Sequence, residues 1–192
     1  GWGNNRGLVL MKSFDLIHWT RTNIRFDQMS KEFAQIGCAW APETVYDPAT
    51  GRMMIYFTMR FGNEQNRLYY VYVNQDFNRI ESIPQILFEY PSGASAIDGD
   101  ITPIWNEERQ KMEYHLFYVA HESGSGIKQA VSDRIDGSYR FDPRWIDFEP
   151  VACEAPNVWK RIGENKWVLM YDIFGINPHN FGFVETCDFV HF

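Results

Sequence analysis

One phrase recurs along this chain and limits what it can fold into. A short alternating strand leads into a small or polar residue, any residue, and then Asp. It reads Ser13-Phe14-Asp15-Leu16-Ile17-His18-Trp19 near the start and Thr186-Cys187-Asp188-Phe189-Val190-His191-Phe192 at the end. Weaker copies stand at Asn74-Gln75-Asp76-Phe77 and Ser132-Asp133-Arg134-Ile135, so the Asp positions lie 61, 57 and 55 residues apart. A fixed period of this kind means that one supersecondary unit is repeated and must stack on its neighbours to bury a core.

The segments between the phrases share a layout. A first strand carries an acidic residue near its head: Trp40-Ala41-Pro42-Glu43-Thr44-Val45-Tyr46, Ala96-Ile97-Asp98-Gly99-Asp100-Ile101 and Cys153-Glu154-Ala155-Pro156-Asn157-Val158-Trp159. Turn-forming sets follow at 47–51, 106–110 and 161–165. Then come apolar, β-branched or aromatic strands at 53–58, 114–119 and 167–171. After a polar loop, third strands at 68–73, 127–131 and 181–185 run into the Asp phrase. Three antiparallel strands in a meander, with a poorly patterned fourth, describe a propeller blade. The expected fold is all-β, a single β-propeller domain over residues 1–192. It would hold the end of one blade, two whole blades and most of a fourth, with the native domain extending past both ends. A plain β-sandwich does not account for acid-bearing strands and Asp phrases recurring together.

Composition narrows the partners. Aromatic residues make up 17% of the chain, ample for packing and for stacking on ligands. The net charge of −7 argues against a phosphate backbone as partner. No apolar run is long enough to span a membrane. Cys38, Cys153 and Cys187 are odd in number, lack metal-type spacing and read as buried free thiols.

In a propeller the first strand of each blade lines a channel, and its start shares a face with the loop joining strands two and three. That face gathers Glu43, Asp98 and Glu154, spaced 55 and 56 residues apart, with the loops 60–67, 120–126 and 172–180. Converging carboxyl groups are the material of glycoside hydrolysis. One protonates the leaving oxygen, and another activates water or attacks carbon. Like-charged neighbours keep the first one protonated. Asp98 has a rival in Asp100, on the same strand face. Glu43 can bind a sugar hydroxyl or fix a loop. Trp40 can stack on a sugar ring or fill the space between blades. Arg60, Phe61, His121 and His179 fall in the loops that would line a pocket. His18 and His191 occupy matching places in the repeat, and Asp15, Asp76, Asp133 and Asp188 are expected to bind turn amides.

Trp40-Ala41-Pro42-Glu43, Ala96-Ile97-Asp98, Glu154-Ala155-Pro156 and the Ser-x-Asp-Leu-x-x-Trp phrase together resemble glycoside hydrolase family 43, the five-bladed propellers. The related sucrose- and fructan-cleaving propellers place their acid in a Glu-Cys motif, whereas here Cys153 precedes Glu154 and Ala-Pro follows it. The resemblance implies an inverting hydrolase acting on arabinose-, xylose- or galactose-containing plant polysaccharides or oligosaccharides. Glu154 matches the general acid and Asp98 the residue that tunes and orients it. The general base, an Asp of the first blade, projects to a position before residue 1, so these 192 residues alone are not expected to be active. No cofactor is expected to be required. Calcium near the propeller axis is implied as an option, with His179 as a possible partner. The resemblance also implies a secreted or periplasmic address. A non-catalytic carbohydrate-binding propeller is the alternative from a different class.

Overall fold

The computed structural model describes residues 3–192. The chain packs as two compact units, residues 1–89 and 90–192. Every sheet is antiparallel, and within each sheet consecutive strands are neighbours.

In the first unit, β1 (Gly7–Lys12) and β2 (Thr20–Arg25) form a two-stranded sheet. Two short 3-10 turns follow, at Phe26–Gln28 and Phe33–Gln35. The meander β3 (Ile36–Asp47), β4 (Arg52–Phe61), β5 (Arg67–Val73) and β6 (Gln85–Phe88) makes a four-stranded sheet. Leu8, Leu10, Phe26, Phe33, Phe57 and Val71 belong to its core, with the Phe26 and Phe57 rings stacked at 4.7 Å.

The second unit holds a four-stranded meander of β7 (Ile97–Asn106), β8 (Lys111–Val119), β9 (Ile127–Ser132) and β10 (Arg140–Trp145). A three-stranded one follows, of β11 (Glu154–Lys160), β12 (Trp167–Ile173) and β13 (Asn180–Thr186). Phe117, Val119 and Ile127 of the first sheet pack with Leu169, Tyr171 and Ile173 of the second. The second strands are near-continuous apolar runs because both of their faces are covered; six consecutive residues of β4 and of β8 are buried. In chain order the sheets have two, four, four and three strands.

The fourth strands, β6 and β10, had little pattern because they are sheet edges. β10 contains Pro143, pairs with β9 only at Arg140, Phe141 and Trp145, and shifts register between the last two. Proline is tolerated at such an edge because no ladder bond is lost there.

The Asp phrase is a tight turn. Asp188 Oδ1 accepts the N–H groups of Val190 and His191, both at 2.9 Å, and Thr186 Oγ1 accepts that of Phe189. Phe189 takes a left-handed conformation (φ 58°) that drives its side chain between the two sheets. There it packs on His115 and Trp167, while its carbonyl accepts Gln129 Nε2 at 3.0 Å. Asp15 repeats the capping geometry on Ile17 and His18. The two inner copies differ from expectation. At the second, Asn74 rather than Asp76 accepts the turn amides, those of Asn78 and Arg79. At the third, Asp133 is engaged by Arg109 and Lys111. The cysteines also differ in part: all three are free, and Cys38 and Cys153 are buried, but Cys187 is exposed.

Gly182 lies directly opposite Tyr171, and a Cβ there would come within 2.1 Å of the buried phenol ring. Gly182→Ala is expected to lower stability by about 1–3 kcal/mol through overpacking. Thermal denaturation reads this, and an unchanged midpoint would show that the ring has room to move.

Candidate active site

Each inner strand of a blade carries the same irregularity. Pairing to the second strand skips between Trp40 and Glu43, between Ile97 and Asp100, and between Glu154 and Asn157. The residue inside each skip, Ala41, Asp98 or Ala155, has a positive φ of 48°, 53° or 52°. These are β-bulges, which bend a strand and re-aim its side chains. Pro42, Gly99 and Pro156 follow, residues suited to a position without a regular ladder bond. The bulges recur every 57 residues. The acids do not keep that register. Asp98 stands at the bulge position, Glu154 one residue before it, and Glu43 two residues after it, where the other blades have Asp100 and Asn157. The near-even acid spacing thus overlies three different strand positions.

Two N–H groups of β11, one inside the bulge and one beyond it, are taken by carboxylates of β7. Asp98 Oδ2 accepts the Ala155 N–H at 3.4 Å, and Asp100 Oδ2 accepts the Val158 N–H at 2.6 Å. Asp100 is buried and binds the neighbouring inner strand. Asp98 is half-buried and is set beside the head of β11, where Glu154 begins the strand.

Glu154 has a second acidic neighbour. Its register partner on β12 is Asp172, so the two side chains share one face of the sheet. Sequence reading ended that strand at Tyr171 and left Asp172 in a loop; β12 continues to Ile173. Only the pairing register, not any motif, identifies Asp172 as part of this group.

The electrostatics follow from this crowding. Burial raises the Asp98 carboxyl to about 6, and the charge of Glu154 adds to the effect. Burial also raises Glu154, with the charge of Asp172 adding to it and His121 and His179 opposing it. Neighbouring carboxyls titrate together, and both Asp98 and Glu154 hold a proton more tightly than an ordinary carboxylate.

A dense scaffold holds the head of β11. His121 Nε2 lies 3.0 Å from the Cys153 carbonyl, which can only accept, so that nitrogen carries the proton. The Cys153 N–H donates to the Ser125 carbonyl at 2.8 Å. Gly126 has φ 139°, and a Cβ there would sit 2.7 Å from the Cys153 carbonyl and 2.8 Å from His121 Nε2. Buried Asp147 accepts from the Ser125 hydroxyl and the Ile127 N–H. The Cys153 thiol is pushed up to about 12 by burial, which keeps it a packing group.

Of the other residues expected at the site, Trp40, Glu43, Arg60 and Phe61 belong to residues 1–89 and His179 to residues 90–192. Trp40 lies on β3 beneath the Arg60 guanidinium, 5.7 Å from its ring centre. Arg60 also donates to Asn66 at 3.3 Å. Phe61 packs between Phe33 and Tyr69 at the edge of the core. Glu43 is exposed on β3, with a carboxyl raised by partial desolvation. His179 is exposed in the loop before β13, and the described residues include no group of three or more His, Cys, Asp or Glu side chains arranged to hold a metal ion. No helix among them is long and apolar enough to cross a membrane.

A family model described as "Probable glycosyl hydrolase domain", of a family 43-related group, matches residues 1–191. Among solved structures, the chain is similar to an exo-β-1,3-galactanase from Clostridium thermocellum, with a TM-score of 0.66 and 15% identity over 93% of this chain and 39% of that one. It is similar to an α-L-arabinofuranosidase from Lactobacillus brevis, with a TM-score of 0.58 and 17% identity over 88% of this chain and 55% of that one. It is also similar to a thermostable family 43 glycoside hydrolase, with a TM-score of 0.57 and 12% identity over 95% of this chain and 68% of that one. No curated protein matches it by sequence. The structural likenesses establish the all-β propeller fold class that the repeat predicts. From the match along 1–191, the chain belongs to the family 43-related glycosyl hydrolase domains.

Proposed function

We propose that the protein hydrolyses glycosidic bonds of arabinose-, xylose- or galactose-containing oligosaccharides or polysaccharides with inversion, using Glu154 as general acid. The observation that carries this reading is the placement of Glu154 at the strand head beside Asp98 from β7 and opposite Asp172 from β12, where burial and the charge of Asp172 raise its carboxyl. Departure of a sugar alkoxide requires a proton at the bridging oxygen, and a carboxylic acid still protonated at working pH supplies it. Asp98, fixed by the Ala155 N–H, orients the acid and raises its proton affinity. After transfer, Glu154 is left as an anion among anions, which favours its reprotonation for the next turnover. The substrate classes named for similar structures, galactan and arabinofuranosides, support the sugar assignment. The water-activating carboxylate is not assigned to any of these 192 residues.

In the full-length protein, Glu154→Gln is expected to lower kcat on oligosaccharides by roughly 10²–10⁴-fold. The loss should be smaller on nitrophenyl glycosides, whose leaving group departs without protonation. Unchanged turnover of oligosaccharides would sink the assignment. Sugar binding without turnover in the wild type would favour a carbohydrate-binding propeller instead.

Removing the charge opposite Glu154 should let it ionise at lower pH. Carboxyl NMR titration of Glu154 in Asp172→Asn is expected to show a downward shift, and the alkaline limb of the pH–rate profile should move the same way.

Asp98 carries a stability cost with a defined sign. Its folded value, about 6, lies above the ordinary 3.8, so the folded state binds the proton more tightly. The penalty is absent below pH 3.8 and complete above about 6. Asp98→Asn should therefore stabilise the fold by about 1–2 kcal/mol at pH 7.5, allowing for residual solvent exposure, and have little effect near pH 3.5. Urea denaturation at the two pH values checks this; equal effects would contradict it.

A further inference from the structure

A cavity of about 330 Å³ lies within residues 90–192, at the strand ends remote from Glu154. Its volume stands at the lower end of the range of about 300–1,000 Å³ usual for small-molecule sites. Glu113 and His115 of β8 line it, with Lys160 of β11, Trp167 of β12, and Asn165 and Phe189 from the turns beyond. Lys160 ends the strand that Glu154 begins, which separates the cavity from the candidate acid by roughly 20 Å at about 3.3 Å per residue. Glu113 and His115 share one face of their strand. Lys160 and Trp167 stand directly opposite in register and share a face of theirs. The Phe189 ring packs on both His115 and Trp167, so the two sheets bound one space.

His115 gives this space its chemistry. Its side chain is only 9% exposed. Nδ1 lies 3.0 Å from Gln129 Oε1, while Gln129 Nε2 donates to the Phe189 carbonyl at 3.0 Å. A carbonyl can only accept, which fixes the way the Gln129 amide points. Its Oε1 therefore accepts from His115, and Nδ1 carries the proton. Burial holds the ring's pKa below its ordinary value, so Nε2 is left with a bare lone pair at neutral pH. The Glu113 Oε2 that faces it, 3.9 Å away, is an acceptor as well. These two groups cannot bond each other, and both call for donors. The charge of Glu113 is already met by Arg109, and Asn106 donates to it at 2.9 Å. What the pair still lacks is hydroxyl hydrogens rather than a cation.

We infer that this cavity binds a neutral sugar residue, whose adjacent hydroxyls donate to His115 Nε2 and Glu113 while its C–H face lies against Trp167. Hydroxyls on neighbouring ring carbons present two donors side by side, matching two acceptors side by side. Trp167 is held by Phe189 edge to face at 4.9 Å, and Lys160 Nζ lies 5.0 Å from its ring centre. An indole fixed in this way is an apolar wall of small entropic cost. The Lys160 ammonium supplies donors for further sugar oxygens, and the Asn165 side chain both donates and accepts. A sugar bound here is too far from Glu154 to be the one cleaved. The site retains carbohydrate without acting on it, and it does not depend on Glu154 being the acid.

The test is titration of the full-length protein with L-arabinose, D-xylose and D-galactose in turn, followed by the indole N–H signals in NMR. The Trp167 signal is assigned by its loss in Trp167→Phe. It is expected to shift with at least one of the three sugars. His115→Phe, which keeps a ring against Phe189 and removes the acceptor, should weaken that binding about tenfold. Lys160→Ala, at an exposed position, should weaken it about threefold. A Trp167 signal unmoved by all three sugars at their solubility limit overturns the site and leaves water as the donor to His115. So does an affinity unchanged in the folded His115→Phe variant or, where that variant fails to fold, in Lys160→Ala.

Discussion

An innermost blade strand has a neighbour on one edge only, and its other edge presents backbone donors that something must satisfy. In the second unit that something is a pair of carboxylates. Asp98 and Asp100 of β7 bind the Ala155 and Val158 N–H groups of β11. The same two bonds join one sheet to the next and bring an acidic side chain to the head of β11. A site rich in carboxylates is therefore not an addition to this fold but a consequence of how its inner strands are tied together. Asp100, the better buried of the two, is committed to the tie. Asp98, at the bulge, has a longer bond and a less buried carboxyl.

The repeat was legible because it is made of short-range chemistry. A Ser or Thr, an Asp two residues on and a left-handed residue next cap their own turn, so the same letters recur at residues 13–19 and 186–192. Where the letters drift, the chemistry moves: Asn74 takes over capping from Asp76, and Asp133 turns to Arg109 and Lys111. The second strands were legible because burial on both faces demands unbroken apolar runs. β6 and β10 were not, since an edge strand such as β10, with Pro143 and three paired positions, needs no such pattern.

The site was legible only in part, and for a different reason. Near-even spacing of Glu43, Asp98 and Glu154 suggested equivalent positions, yet a bulge changes which side chain faces which way, and its register is invisible in a single sequence. Asp172 was missed for the same cause. Its relation to Glu154 lies in the pairing of β11 with β12, 18 residues apart along the chain but directly opposite across it. Motifs find residues that act through their neighbours in sequence; cross-strand partners have to be found in the pairing.

Asp98 and Glu154 at one strand head are unfavourable for folding when charged, since burial and a like-charged neighbour oppose the ionisation of each. The surrounding structure is built to withstand this. Gly126 allows His121 to approach the Cys153 carbonyl, Asp147 fixes the loop from beneath, and the Tyr171 hydroxyl closes on Asp147 and Glu149. Each of these contacts adds rigidity near the head of β11, and of the groups named only His121 offsets part of the burial and repulsion acting on Glu154. An unfavourable charge arrangement is thus held fixed by packing, as the preorganised site suggested under the proposed function would require.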